Sequence, residues 1–430
     1  MRRPEFQVGR LQNSGKAHSV EIIKTLDMNR HRKTLTGALA AILLTLFFQP
    51  AAEAQKKAKP QAMGAHVATD GQGTVITREK ADSLMPVRGF CIDAPQPAGV
   101  DSFLQFIDKE LAPRQVNTLL LLIDYHYQFK SHPELADTLA LSEAEAKKIV
   151  AACRNNGIRI IPQINLLGHQ SWASHMSKLL QVYPQFDETP WVKNPEKYEW
   201  PNADNLYCRS YCPLVTGLHE VLFPVIDELC DVFETNAFHA GMDEVFYLGE
   251  DKCPRCAGMD KAVLFAGEVR AIHDHLVQKG REMWIWGDRL IDGKTTGLGI
   301  WEASYNNTYR AIDLIPKDVV ICDWHYERAD KTAVGFAMKG LRVVTCPWRR
   351  PAIGVLQVND IVRFRQESTP EMRGRFLGIV ETTWSNTDTF LRGYYGNLKA
   401  PPGRSAGDNG ENTSWNSFRA IYARMGELAR

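Results

Sequence analysis

The sequence lacks an excess of charge, a long apolar run and a nucleotide-binding glycine motif, and each absence excludes a class of function. Fifty-one basic residues stand against 50 acidic ones, a net charge of +1, which leaves no electrostatic footprint for a nucleic acid. The apolar run at residues 35–48 is too short to favour a membrane-spanning helix, which needs about 20 residues. No Gly-x-Gly-x-x-Gly turn follows the first predicted strand, which disfavours a dinucleotide-binding fold.

An export signal is predicted ahead of the main body of the chain. A basic cluster at residues 30–33 precedes the apolar run, and Ala52 and Ala54 are small residues at the expected cleavage positions. We expect residues 1–54 to be an N-terminal extension, with the signal proper at 28–54, and residues 55–85 to be a flexible leader. The mature protein would begin at Gln55, would be periplasmic or extracellular, and would keep no stable membrane anchor.

Short apolar runs rich in β-branched residues alternate with amphipathic segments from residue 86 onward. The segments at 142–155, 214–233 and 262–279 have the apolar spacing of helices. Near-continuous apolar strands between helices are typical of parallel strands that are buried on both faces. Eight such units favour a single (β/α)8 barrel over residues 86–430. The predicted strands are 88–93, 118–124, 158–165, 237–243, 282–288, 319–323, 341–346 and 375–382.

Polar side chains follow the carboxyl ends of these runs, where barrels build their active sites. The set comprises Asp93, Asp124, Asn165, Asp243, Asp288, Asp323 and Trp384. The fourth run ends with two adjacent acids, Asp243 and Glu244, preceded by His239. Adjacent carboxylates raise each other's pKa, and this cost is most often accepted where one of the pair must hold a proton near neutral pH.

These motifs resemble glycoside hydrolase family 20, the β-N-acetylhexosaminidases. The first strand begins with Arg88-Gly89, like the opening strand of that family, and the third ends in Gly168-His169. Residues 239–244 resemble the family's His-x-Gly-Gly-Asp-Glu signature, and Trp384 falls where the last strand of the family ends in a Trp. The resemblance implies hydrolysis of a terminal β-linked N-acetylhexosamine, GlcNAc or GalNAc, on a glycan or glycoconjugate, with no metal or organic cofactor.

The resemblance also implies roles for individual residues. Glu244 would be the general acid, and Asp243 would orient the 2-acetamido group of the substrate, whose oxygen attacks the anomeric carbon. Because successive side chains on a strand point to opposite faces, we expect these two carboxyls not to act as an acid and nucleophile on one carbon. Sugar-binding or site-lining roles are expected for Arg88, His169, His239, Trp301, Trp384, Asp288 and Tyr326.

The sequence departs from the family pattern at several positions. Met242 replaces the second Gly of the signature, Gln163 stands where an acid is usual, and Ser385 follows Trp384 where an acid is expected. The usual α/β domain ahead of the barrel has no room in residues 55–86. Two alternatives therefore stay open: a catalytically weak or inactive sugar-binding barrel, and a two-carboxylate glycosidase that pairs Glu244 with Glu381 or Asp288.

The nine cysteines pose a separate question. A Cys-x-x-x-Cys at Cys208 and Cys212 and a Cys-x-x-Cys at Cys253 and Cys256 fall in predicted loops around the barrel. This spacing only half matches a four-cysteine zinc site. An exported protein can also keep disulfides. A structural metal, disulfides and free thiols are therefore all compatible with the sequence.

Overall fold

The computed structural model describes residues 68–69, 75–193, 195–196, 208–398 and 410–430. The predicted export signal at 28–54 lies outside the described residues. In the described part of the chain, eight parallel strands close into a barrel in which the last strand pairs with the first. The strands are β1 Val87–Asp93, β2 Thr118–Leu122, β3 Arg159–Leu166, β4 Ala237–Gly241, β5 Glu282–Trp286, β6 Val320–Trp324, β7 Arg342–Cys346 and β8 Phe376–Thr382.

Helices connect the strands and surround the barrel. They are α1 Arg78–Leu84, α2 Val100–Phe106, α3 Glu143–Asn155, α4 Lys178–Val182, α5 Leu218–Val232, α6 Lys261–Gln278, α7 Gly293–Thr296, α8 Thr332–Met338, α9 Pro351–Glu367, α10 Pro370–Arg373, α11 Thr387–Tyr394 and α12 Ser414–Leu428. Two short antiparallel hairpins pair Ala68–Thr69 with Val75–Ile76 and Ser171–Trp172 with His175–Met176. In the described part of the chain, none of the helices combines the length and the apolar character that crossing a membrane requires.

The strands are apolar along their whole length because both of their faces are buried. On β1, Phe90 and Ile92 pack outward against the helices, whereas Cys91 points into the barrel interior. The interior cluster also contains Leu120, Trp286 and Cys322 from three other strands. A barrel interior filled by such layers is a packed core rather than a channel, so any substrate must bind at its mouth.

The eight predicted strands and the (β/α)8 architecture are confirmed. The main differences are at the carboxyl ends of three strands. The strand expected to reach residue 124 ends at Leu122, the one expected to reach residue 243 ends at Gly241, and the one expected to reach residue 288 ends at Trp286. The predicted helix at 142–155 is α3, which begins with a capping box in which Ser142 and Glu145 satisfy each other's backbone N–H groups.

The predicted leader at 55–85 requires a correction at its end. Residues 78–84 form α1, whose N-cap Thr77 accepts a hydrogen bond from the backbone of Lys80. Ala81 and Met85 are buried, so this segment is part of the folded barrel unit. The physical reason is that α1 lies just before β1 and supplies apolar side chains at the amino-terminal end of the strands.

Candidate active site

The two adjacent acids stand on a sharp bend that follows β4. Gly241, Met242 and Glu244 all have left-handed backbones, with φ angles of 69°, 74° and 48°. A Cβ at position 241 would lie 2.9 Å from the Cα of Asn165, so this position requires glycine both for conformation and for space. Met242 adopts a conformation that is uncommon for its residue type, at the position where the family signature has its second Gly.

Because of this bend, the strand alternation that we expected for Asp243 and Glu244 does not hold. Both carboxylates reach the same imidazole: His169 Nε2 lies 3.1 Å from Asp243 Oδ2 and 3.3 Å from Glu244 Oε2. His169 follows Gly168, where a Cβ would come within 2.2 Å of the Asp243 carbonyl oxygen. The ends of β3 and β4 therefore pack too closely for any other residue at 168, and this contact brings the imidazole to the acids.

The surroundings of His169 favour the protonated form of its ring. Burial alone would lower its pKa, but Cys208 and Asp243 raise the pKa of His169 well above its usual value. Burial raises the pKa of the Cys208 thiol to about 12, and its sulfur lies within hydrogen-bonding distance of the ring. A cation between two carboxylates lets both approach each other at a lower electrostatic cost.

Cys208 belongs to this site, which corrects its predicted place in a cluster with the other three loop cysteines. Its sulfur lies 3.4 Å from His169 Nδ1 and 3.5 Å from Glu244 Oε2. The contacts are of the kind that a thiol makes as a weak donor and acceptor. Together, His169, Cys208 and Glu244 also form a group that could hold a metal ion. Nothing in the sequence distinguished Cys208 from its neighbours.

Asp288 fixes the loop that carries Glu244. Its Oδ2 accepts a hydrogen bond from the backbone N–H of Glu244 at 2.9 Å and one from Arg289 Nε at 2.6 Å, and its Oδ1 accepts one from Trp324 Nε1 at 3.2 Å. Burial raises the pKa of Asp288 to about 6, with Arg289 opposing the rise and Asp243 adding to it. The structure thus places Asp288 beside the acids, where it binds the backbone N–H of Glu244.

His239 lies below the acid pair inside the barrel wall. Its Nδ1 accepts a hydrogen bond from the backbone N–H of Gly241 at 3.1 Å, and its ring packs 4.6 Å from that of Trp286. Burial lowers the pKa of His239 to about 3, so the ring is neutral. We expected His239 to bind the sugar or to line the site, and the hydrogen bond that it makes is to the bend residue Gly241.

An aromatic wall stands on the barrel interior cluster next to the acids. We define it as Trp301, Tyr326 and Trp384, three partly buried side chains that pack against that cluster. Trp384 Nε1 donates to the Tyr326 hydroxyl at 2.7 Å. Arg289 Nη2 donates to the Trp301 carbonyl at 2.9 Å and so ties Trp301 to the Asp288 loop. Arg289 was not predicted from the sequence.

Other tryptophans near the strand ends have core positions. Trp286 is fully buried, and its ring lies 5.5 Å from that of Trp384 in an edge-on arrangement. Trp284 is also buried, and its Nε1 donates to Glu282 at the amino end of β5. The buried Trp284 and Trp286 therefore belong to the interior cluster against which the side chains of the aromatic wall pack.

Arg88 is not brought to this site, which corrects its expected contact with sugar hydroxyls. It is the second residue of β1, and its guanidinium contacts groups at the amino-terminal end of the barrel. Nη2 lies 2.8 Å from the Asp82 carboxylate, Nη1 donates to the Met85 carbonyl and Nε donates to the Gln115 carbonyl. Arg88 thus fastens α1 to the barrel through an ion pair in which the guanidinium is buried and the Asp82 carboxylate is exposed.

Glu381, one of the two acids weighed as a partner for Glu244, lies outside the barrel interior. Its neighbour Val380 belongs to the interior cluster, so the Glu381 side chain points the other way, toward Ser417 and Tyr422 of α12. Burial raises the pKa of Glu381 well above its usual value. An acid behind the barrel wall cannot reach a sugar at the mouth.

The chain is similar to known glycoside hydrolases in sequence and in fold. Residues 86–353 match the model of the glycosyl hydrolase family 20 catalytic domain. A lacto-N-biosidase of Bifidobacterium bifidum is 25% identical over 239 residues, or 53% of this chain, and a β-hexosaminidase of Emericella nidulans is 24% identical over 292 residues, or 60%. A Flavobacterium johnsoniae chitobiase structure superposes over 79% of the chain with a TM-score of 0.54 and 19% identity.

The barrel and the carboxylate pair at its mouth define the architecture of a glycoside hydrolase. The match covers more than half of the sequence, and the chain belongs to glycosyl hydrolase family 20. It spans 19% of the lacto-N-biosidase, 43% of the β-hexosaminidase and 48% of the chitobiase chain. The relatives are thus considerably longer proteins that share this catalytic domain.

Proposed function

We propose that this protein is an exo-glycosidase that removes a terminal β-linked N-acetylhexosamine by substrate-assisted, retaining catalysis. The observation that carries the proposal is the convergence of Asp243 and Glu244 on the imidazole of His169 in a family 20 barrel. The similarity to the β-hexosaminidase of Emericella nidulans supports this class of substrate.

Glu244 acts as the general acid. It is almost fully buried and lies at the carboxyl end of the barrel, where Asp288 holds its backbone. In the first step it gives its proton to the glycosidic oxygen as the bond from that oxygen to C1 breaks. The resulting carboxylate takes a proton from water in the second step, as that water attacks C1 from the face that the leaving group occupied.

Asp243 accepts a hydrogen bond from the acetamido N–H of the substrate. The acetamido oxygen attacks C1 in the first step and closes a five-membered ring that carries a positive charge, which the Asp243 carboxylate stabilises. Retention then follows from two displacements at C1. Of the two acids weighed as an alternative nucleophile, Glu381 lies behind the barrel wall, and Asp288 is occupied by Arg289, Trp324 and the Glu244 backbone.

The aromatic wall forms one side of the sugar subsite. An acetamido methyl group needs an apolar enclosure, and a sugar ring presents C–H faces that stack on aromatic rings. Trp301 and Trp384 offer ring faces next to the acids, and the Tyr326 hydroxyl, which already accepts from Trp384, is a donor for the acetamido oxygen. Glucosamine and galactosamine derivatives both satisfy this arrangement.

The variant Glu244→Gln tests the acid role, since it keeps the shape of the side chain and removes its proton. Turnover of N-acetylglucosaminides with poor leaving groups should fall by about 10²–10⁴-fold, the usual contribution of general acid catalysis. Nitrophenyl glycosides need little protonation and should lose much less in their first step. Steady-state kinetics on a leaving-group series provides the measurement, and an equal loss across the series would count against Glu244 as the acid.

Export is proposed on the sequence alone, since residues 28–54 lie outside the described part of the chain. The proposal predicts a mature amino terminus at Gln55 in periplasmic or secreted material. N-terminal sequencing of that material would test it. Recovery of an intact 28–60 segment in membranes would instead identify that segment as an anchor.

A further inference from the structure

A second buried polar cluster lies next to the candidate active site, and the proposed function makes no use of it. We call it the thiol cluster: Cys212, Cys253, Cys256 and Glu188. Each residue offers one ligand atom, these atoms all lie within 4.8 Å of one another, and all four residues are buried. Glu188 is the fourth member of the cluster, a position for which the sequence suggested Cys208.

The spacing of the sulfurs matches a tetrahedral metal site. Cys212 Sγ lies 3.7 Å from Cys253 Sγ and 3.7 Å from Cys256 Sγ. A tetrahedron with metal–sulfur bonds of about 2.3 Å has sulfur–sulfur edges of about 3.8 Å. The carboxylate of Glu188 completes the set, with its Oε1 3.0 Å from Cys256 Sγ.

The charge of the cluster also calls for a cation. Glu188 is fully buried, its Oε1 accepts from the backbone N–H of Glu250, and no ion pair involves it in the described part of the chain. A buried carboxylate without a cation is costly. Arg255 lies beside Cys212 and Cys253, and its guanidinium donates to the carbonyls of Gln185 and Asp187. Its positive charge would offset one charge of the metal-bound cluster, as outer partners of thiolate sites do.

We propose that Cys212, Cys253, Cys256 and Glu188 bind one structural zinc ion. Three thiolates and one carboxylate in a closed, buried tetrahedron suit Zn²⁺, whereas hard cations such as Ca²⁺ and Mg²⁺ prefer all-oxygen sites. On binding, each thiol loses its proton to solvent as its sulfur–zinc bond forms. No redox step is involved.

The zinc ion would clamp the two loops that carry the candidate catalytic groups. Glu188 and Cys212 belong to the loop after β3, which also provides His169 and Cys208. Cys253 and Cys256 belong to the loop after β4, which provides Asp243 and Glu244. The role of the ion is therefore positional, and the inference stands or falls by metal content independently of glycosidase activity.

Metal analysis of the purified wild-type chain tests the proposal directly. We expect about one zinc per chain, released when a mercurial reagent modifies the thiols and detected with a chromogenic zinc indicator. Replacement of zinc by Co²⁺ should produce the intense charge-transfer absorption of cobalt–thiolate bonds. Both measurements use the unaltered protein, so a variant that fails to fold does not compromise them.

Matched variants locate the ion. Cys253→Ser and Cys256→Ser should lose zinc, while Cys230→Ser, which alters a buried thiol on α5 outside the cluster, should retain it. Cys208→Ser should also retain it, which separates this site from the His169, Cys208 and Glu244 group. Glu188→Gln keeps three thiolates and should weaken retention by more than the roughly 10-fold that loss of an outer-shell partner costs.

Two results would overturn the proposal. One is a metal-free chain, purified with zinc supplied throughout, whose intact mass shows a disulfide among these cysteines or three freely alkylated thiols. The other is full retention of zinc in Cys253→Ser, or its loss in Cys208→Ser, because either would place the ion elsewhere.

Discussion

The candidate catalytic group, which comprises His169, Asp243 and Glu244, and the thiol cluster are built on the same two loops, yet they differ in access to solvent. Cys208 faces the acids, and Cys212, four residues later, faces the other cysteines. The side chain of His169 is 19% exposed and those of Asp243 and Glu244 are 11% exposed, whereas Glu188, Cys212, Cys253 and Cys256 are fully buried. The partly exposed group around His169 can admit a substrate, whereas the fully buried thiol cluster has room only for an ion.

The two groups also balance their negative charge in different ways. Near the barrel mouth, Cys208 and Asp243 raise the pKa of His169, so the group that balances the negative charge is a side chain of the protein and can respond to pH. In the thiol cluster the ligands themselves are acidic groups, and a divalent ion would balance them. The comparison suggests that substitutions in the first group change chemistry and that substitutions in the second change folding.

Among the variants that compare the two groups, the largest effect is expected for Asp243→Asn. If Asp243 stabilises the charged ring that the acetamido group forms, kcat on N-acetylglucosaminides should fall by on the order of 10²-fold or more, as for loss of one preorganised electrostatic contact. The wild type should be poor on plain glucosides, and the variant should barely change that residual rate. A parallel loss on both substrate types would mean that Asp243 does not act through the acetamido group.

A matched pair, Cys212→Ser and Cys208→Ser, should separate the two groups. The first should lower Tm by about 5 °C or more, as expected for a loss of several kcal/mol in a chain of this size, and should release zinc. The second should leave zinc content unchanged and alter the kinetics, because its sulfur contacts His169 and Glu244. Thermal unfolding and metal analysis of both variants provide the comparison, and identical behaviour would refute it.

A smaller effect is expected for His169→Gln, in the pH dependence of kcat/KM. The imidazolium favours ionised carboxylates in the catalytic group, so its removal should move both limbs of the kcat/KM profile to higher pH by about one unit. The diagnostic quantity is the position of the profile rather than its height. An unchanged position would show that His169 contributes by packing alone.

The smallest predicted effect concerns stability at alkaline pH. Burial would lower the pKa of His325, but Asp323 and Glu302 raise it to about 10. A raised folded-state pKa stabilises the protein fully below the unfolded value near 6.5, and this contribution is lost as pH rises toward 10. Denaturant unfolding should therefore show a decline in the free energy of unfolding over this window, and the decline should be shallower in His325→Gln.

The barrel could be predicted from the sequence because strands buried on both faces leave continuous apolar runs. The position of Arg88 was also open to prediction, since it stands at the start of its run and therefore at the amino end of the barrel. The left-handed bend at Met242 and Glu244 was not, because contacts between the ends of β3 and β4 impose it. Likewise, the sequence did not predict that Glu188, rather than Cys208, lies with Cys212, Cys253 and Cys256. This arrangement depends on how the long loop after β3 folds, and the spacing of the cysteines does not encode it.

The central claim is that the substrate, rather than a protein carboxylate, supplies the nucleophile beside Asp243 and Glu244. Inhibition by a thiazoline analogue of the cyclised N-acetylglucosamine intermediate tests it most directly. The account predicts competitive inhibition of the wild type at concentrations well below KM, weakened by Asp243→Asn, since transition-state-like ligands bind 10²–10⁸-fold tighter than substrates. No inhibition by the thiazoline, together with a covalent fluoroglycosyl-enzyme in the intact mass spectrum, would contradict it.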